Sequence, residues 1–137
     1  MSQKLLNNPK LDSKQEALET EALLSRSQDP EIYQLKEPIE RLMLLYGDKY
    51  SLQILDLLIA EGPLRFVALE KRITGISPRT LSQRLKHLER HGMLKRHQYP
   101  SIPPKVEYEP TEKAVALRPM IDGMKNWADT WFPYCPA

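Results

Sequence analysis

The run GISPRTLSQRLKHLERHGML, residues 75–94, leaves a chain of this size few folds to choose from. Leu81, Leu85 and Leu88 recur at i, i+4 and i+7, so a helix here lays all three on one stripe facing a core. Ser77 is placed to cap that helix, because its hydroxyl can accept from an unpaired N–H of the first turn. Pro78 suits the first helical position, where its missing N–H costs nothing. Gly92 stops the helix, since glycine tolerates the left-handed cap conformation. At about 100° per residue, Arg79, Gln83, Lys86 and Arg90 point the opposite way.

An outer face of Arg, Gln, Lys and Arg has the chemistry to read a DNA major groove. Arg can meet a guanine edge with two donors, Gln can pair with adenine, and Lys can meet phosphate. Amphipathic helices with solvated charged faces are also common, so the surrounding charge matters. The 137-residue chain carries a formal charge of only +2. Residues 62–105, however, hold ten Lys/Arg against Glu70 and Glu89, a local charge of +8. All three histidines (His87, His91, His97) fall in the same block. One positive face on a near-neutral body is the footprint of a polyanion binder.

Composition excludes several classes. A single cysteine, Cys135, rules out an internal disulfide and a multi-cysteine zinc site. No apolar run reaches membrane-spanning length and the N-terminus lacks a signal-peptide core, so a cytoplasmic protein is expected. His87 and His91 stand four apart, a spacing that can bind zinc, yet no third ligand is obvious. Solvent-facing or phosphate-proximal histidines are the simpler reading. With no Ser/His/Asp array, no phosphate-cradling glycine loop and no paired carboxylates in a defined context, the chain is expected to have no catalytic residues, no metal and no cofactor.

Residues 1–36 are polar and weakly periodic. Ser13 with Glu16 suggests a capping box, Leu11, Leu18 and Ala22 make a thin stripe, and Asp29-Pro30-Glu31 is another possible helix start. They are read as an N-terminal extension, either a short helix or disordered. The domain proper is expected over 37–132, with 133–137 as a tail. It opens with a helix at Pro38 whose Ile39, Leu42, Met43 and Tyr46 share a face up to Gly47. A second helix is expected from about Lys49 to Ala60, with Leu52, Leu55, Leu58 and Ile59 inward. Pro63-Leu64-Arg65 has room only for a very short strand. A third helix from Phe66 to about Ile73 then turns through Thr74-Gly75-Ile76 into the basic helix, forming a helix-turn-helix.

Beyond Gly92 two strand-like runs, 93–99 and 105–109, flank Pro100, Pro103 and Pro104. They predict a two-stranded hairpin, a wing, from which Lys95, Arg96, His97 and Lys105 can reach phosphate. Thr111 caps the last helical region, where Leu117, Ile121, Met124, Ala128 and Trp131 form a seam for another helix. Pro119 kinks or divides it. The seam can pack on its own domain or on a second copy; Trp127 and Trp131 together exceed what a small domain needs to cover and favour a dimer. The fold class is therefore mainly α with a small β-hairpin wing, a winged helix-turn-helix.

These residues resemble the HxlR family of bacterial winged helix-turn-helix regulators, within the wider MarR-like group. The likeness rests on Pro38-Ile39-Glu40-Arg41, Gly47-Asp48-Lys49-Tyr50, Gly62-Pro63-Leu64-Arg65-Phe66, the run over 75–94, and YPSIPPKVEYEPTEKA with Leu117 and Pro119. It covers about 37–132. It implies a dimeric DNA-binding transcription factor, with a homodimer built through the first and last helices from Ile39, Leu42, Leu117, Ile121, Met124, Trp127, Ala128 and Trp131. Many members carry a cysteine just before the first helix, where this chain has Glu37, so the usual thiol switch has no sulfur. Tyr50 stands in place of a tryptophan and Ala114 in place of a glycine.

The expected mode is repression by a homodimer on an inverted repeat in double-stranded DNA. Ser77, Arg79, Thr80, Ser82, Gln83, Arg84, Lys86 and Arg90 are assigned to the groove-reading helix, and Lys95, Arg96, His97 and Lys105 to the wing. One alternative is a winged-helix module that binds protein without specific DNA binding. Another adds an unknown small-molecule effector near Tyr46, Tyr50, Phe66 and Trp127, aromatics that serve more simply as core.

Overall fold

The computed structural model describes residues 30–137, and the expectations at Ser13 and Glu16 lie outside that range. Helix α1 (Pro30–Gln34) belongs to a unit distinct from the one formed by residues 35–137. The larger unit contains α2 (Pro38–Tyr46), α3 (Ser51–Glu61), β1 (Leu64–Arg65), α4 (Phe66–Arg72) and α5 (Pro78–Arg90). It continues through β2 (Leu94–Tyr99), β3 (Lys105–Pro110), α6 (Glu112–Val115) and α7 (Arg118–Trp131).

Helix α3 is the centre, touching α2, α5, α6, α7 and β3. Its fully buried residues fall at i, i+3, i+4 and i+7, one stripe of the helix. Ser51, Ile54, Leu55 and Leu58 are fully buried, whereas Leu52 and Ile59 are only partly covered. This corrects the expected inward set, in which Ile54 was absent. Leu69 of α4, Leu81, Leu85 and Leu88 of α5, and Met93 and Leu94 complete the core. Each fully buried leucine contributes about 1.5–3 kcal/mol of apolar transfer energy.

The very short strand at Leu64–Arg65 joins the two-stranded hairpin in one antiparallel sheet of order β1-β3-β2. The short Leu64–Arg65 segment pairs with Tyr108 and Glu107, because β3 still has an open edge opposite β2. That pairing staples the start of α4 to the middle of β3. At the far end the helical region is divided in two, one of the outcomes expected at Pro119. Thr111 caps α6, accepting from the Ala114 N–H at 3.3 Å, and α7 restarts at Arg118 with Pro119 in its first turn. A proline there lacks the N–H that an uninterrupted helix would need.

Candidate nucleic-acid interface

Local chemistry sets both ends of α5. The Ser77 hydroxyl accepts from the Thr80 N–H at 3.1 Å and donates to Thr80 Oγ1 at 2.9 Å. At the other end the Gly92 N–H bonds Glu89 O at 3.0 Å and the Met93 N–H bonds Leu88 O at 2.9 Å. With Gly92 at φ +71°, this is a Schellman stop, and Met93 and Leu88 bury the apolar contact that accompanies it. The Thr111 hydroxyl donates to Gly92 O at 2.7 Å and Lys113 Nζ to His91 O at 2.5 Å. The hairpin's root and the end of α5 are therefore locked together.

Burial of Leu81, Leu85 and Leu88 turns Arg79, Gln83, Lys86 and Arg90 outward, and all four are exposed. Thr80 and Ser82 lie half-buried at the edges of that face. Ser77 is exposed, but its oxygen is engaged in the cap. Arg84 sits apart from the outward cations, with its guanidinium 3.3 Å from the Asp48 carboxylate.

Asp48 also accepts the Tyr50 and Ser51 N–H groups at 3.0 Å each and the Ser51 hydroxyl at 2.5 Å. Burial pushes its carboxyl up, but the Ser51 hydroxyl, the two backbone donors and the Arg84 charge outweigh this and hold it below the usual carboxylate range. Two further bonds join the same corner to α5 and its approach. His87 Nε2 lies 3.1 Å from Leu45 O, and Tyr50 Oη donates to Gly75 O at 3.3 Å. A carbonyl can only accept, so His87 carries its proton on Nε2.

The histidines thus depart from the solvent-facing reading. His87 is half-buried against α2, and His91 is buried, with the two rings edge-to-face at 4.6 Å. Both stand on the inward shoulder of α5, where the helix end tucks under the sheet and α2. Among the described residues no group of three or more His, Cys, Asp or Glu side chains is placed to hold a metal ion. Tyr46, Tyr50 and Phe66 pack against the core, while Trp127 is exposed on α7 and stays apart from them.

On the wing, register decides which charges meet. Lys95 faces Glu109, His97 faces Glu107 and Tyr99 faces Lys105, so these six share one side of the hairpin. Arg96, opposite Tyr108, projects from the other side. The expected four-cation wing is consequently split, and its main face also carries two acids. Lys105 Nζ bonds Glu107 at 2.8 Å and His97 Nε2 lies 2.6 Å from Glu109. Lys95 and Arg96 remain exposed.

Sequence reasoning counted Arg65 and Lys71 as charge without assigning them a place. They flank a groove over β1 and α4 with Val67 between, on the helix that precedes α5. Their positions at the two ends of α4 were the available signal. Asp48 likewise enters the sequence reading only within Gly47-Asp48-Lys49-Tyr50, although its spacing three before Ser51 is that of a capping carboxylate.

Two helices, α2 and α7, also expose apolar side chains. Ile39 is 63% and Met43 58% exposed on α2, and Trp127 is 58% and Trp131 68% exposed on α7. Leu42 is half-buried, and Met124 and Ala128 are exposed. Leu117 and Ile121, from the same seam, instead turn onto the core of their own domain.

A model of the HxlR-like helix-turn-helix family matches residues 45–135. An uncharacterised HTH-type transcriptional regulator of Halalkalibacterium halodurans is 41% identical over 90 residues, covering 66% of this chain and 80% of that protein. The reduced form of the transcriptional regulator YodB from Bacillus subtilis superposes with a TM-score of 0.62 at 34% identity, covering 72% of this chain and 96% of that one. The redox regulator HypR in its reduced form gives 0.65 at 32% identity, over 69% and 92% respectively.

Proposed function

The chain belongs to the HxlR-like helix-turn-helix family of transcriptional regulators, and we propose that it represses transcription as a homodimer on an inverted repeat of double-stranded DNA. The observation that carries this reading is the outward row of Arg79, Gln83, Lys86 and Arg90 on a helix anchored by three buried leucines. In this reading Arg79, Thr80, Ser82 and Gln83 meet base edges, Lys86 and Arg90 meet phosphate, and Arg84 positions the helix through Asp48. Lys95, Arg96 and Lys105 of the wing grip flanking backbone, with His97 held beside Glu109.

The exposed apolar residues of α2 and α7 support the dimer. Ile39 and Met43 on α2 and Met124, Trp127 and Trp131 on α7 are exposed apolar side chains for a second copy to cover, and in this reading the dimer spaces its two α5 helices by about 34 Å, one turn of DNA. Leu117 and Ile121 brace α7 from within. Among the described residues no helix is long and apolar enough to cross a membrane. In this reading the protein is cytoplasmic and represses by occluding a promoter.

The test is fluorescence-anisotropy binding to the DNA upstream of the protein's own gene, against scrambled DNA, at two salt concentrations. Preference for the native fragment that persists at the higher salt is expected. Equal binding to both, erased by salt, would leave only the basic face. Absence of binding to either would favour the protein-interaction module.

A further inference from the structure

The hairpin tip places an isoleucine in full contact with water. Ile102 is fully exposed, within Pro100-Ser101-Ile102-Pro103-Pro104. Its backbone is held from both sides. The Ser101 N–H bonds Tyr99 O at 2.9 Å and the Ser101 hydroxyl donates to Pro103 O at 2.7 Å. Three prolines fix φ around it, so little further conformational entropy is lost when the side chain is gripped. Loop tips carry polar residues by default, and a rigid apolar one lowers its free energy only when something dry covers it.

The surroundings specify what that cover is. Lys105 Nζ stands 5.5 Å from the Tyr99 ring centroid at the base of the tip, and Lys95 and Arg96 are exposed farther down the strands. Six-residue strands carry the tip about 20 Å from the hairpin root. A protruding apolar point carried on strands that keep Lys95 and Arg96 exposed matches a polyanion whose interior is apolar. A base-pair step viewed from the minor groove is such a target: phosphates line its edges, and the faces of the stacked bases are apolar.

Resting on the regulator reading above, we propose that Ile102 is a wedge that enters the minor groove beside each half-site and partly unstacks one base step. The DNA bends toward the major groove, and the protein gains selectivity for easily unstacked pyrimidine–purine steps at positions that α5 does not touch.

The full-length protein would first enrich duplexes from a random library. The best duplex, labelled at both ends, then reports end-to-end distance by energy transfer with wild type, Ile102→Ser and Ile102→Leu. Wild type and Ile102→Leu are expected to shorten that distance. Ile102→Ser leaves the duplex near straight, binds about tenfold more weakly, and loses the preference for a flexible step beside the half-site. Since the side chain touches no core, all three should melt at the same temperature. Equal bending by wild type and Ile102→Ser overturns the wedge while leaving the regulator reading intact, as does an unbent wild-type complex. Failure to enrich any duplex overturns both. A loss of affinity in Ile102→Ser without change in bend or step preference would mark Ile102 as a simple contact and also overturn the wedge.

Discussion

The Arg84 guanidinium on α5 lies 3.3 Å from the Asp48 carboxylate, which itself receives three hydrogen bonds from Tyr50 and Ser51 at the start of α3. One carboxylate therefore joins the corner after α2 to the helix that faces outward. His87 on Leu45 O, at 3.1 Å, and Tyr50 on Gly75 O, at 3.3 Å, reinforce the same joint. If α2 contributes to a dimer, this joint sets the angle at which each α5 leaves it.

Asp48→Ala removes the acceptor for two backbone N–H groups, and loss of a helix-start carboxylate costs about 0.5–2 kcal/mol. Urea unfolding should register a decrease in that range, with Asp48→Asn closer to wild type. An unchanged midpoint for Asp48→Ala would mean that the joint is ornamental.

The same carboxylate predicts a dependence on pH. Its folded pKa is depressed, so the stability it contributes is fully present above the unfolded value of about 3.9. That contribution is lost as pH falls through the lower folded value. The stability difference between wild type and Asp48→Asn should therefore be constant from neutral pH down to about 5 and shrink below about 4. A gap that persists undiminished at pH 3 would contradict the assignment.

Arg79→Ala and Gln83→Ala remove side chains assigned to base edges, and each should cost about 1–3 kcal/mol of binding while relaxing specificity. Lys95→Ala should weaken binding to every sequence alike. Competition between the selected duplex and random DNA separates the two effects. Should Arg79→Ala keep the full preference, α5 sits in the groove in another register.

Glu107 neutralises Lys105 at 2.8 Å on the wing face and lies opposite Arg65 in the β1 register. Glu107→Gln releases that charge, so nonspecific DNA binding should tighten at low salt. The slope of log affinity against log salt should steepen by about 1. No change in slope would place Lys105 away from the backbone.

Trp131→Glu introduces a charge where the side chain is 68% exposed, so the fold should survive. Analytical ultracentrifugation should then show monomer where wild type shows dimer, with specific DNA affinity lost in parallel. A dimeric Trp131→Glu protein would remove α7 from the interface.

Winged helix-turn-helix architecture and the outward basic face of α5 were legible because they depend on local signals. Ser77, Pro78 and Gly92 bound α5, and the 81-85-88 leucine stripe orients it, through interactions spanning no more than a few residues. Which cations remain available was not legible, because pairing is set by elements distant along the chain. Arg84 meets Asp48 thirty-six residues earlier, His97 meets Glu109 across the hairpin, and Arg72 bonds Glu61 at 2.7 Å across the α3–α4 connection, whereas Lys105 meets Glu107 two residues along its own strand. The burial of His87 and His91 had the same origin, since only packing against α2 and the sheet tells one side of a basic helix from the other. Periodicity reports which face of an element is apolar; the third dimension decides what each polar face meets, because charges act across space and not along the chain.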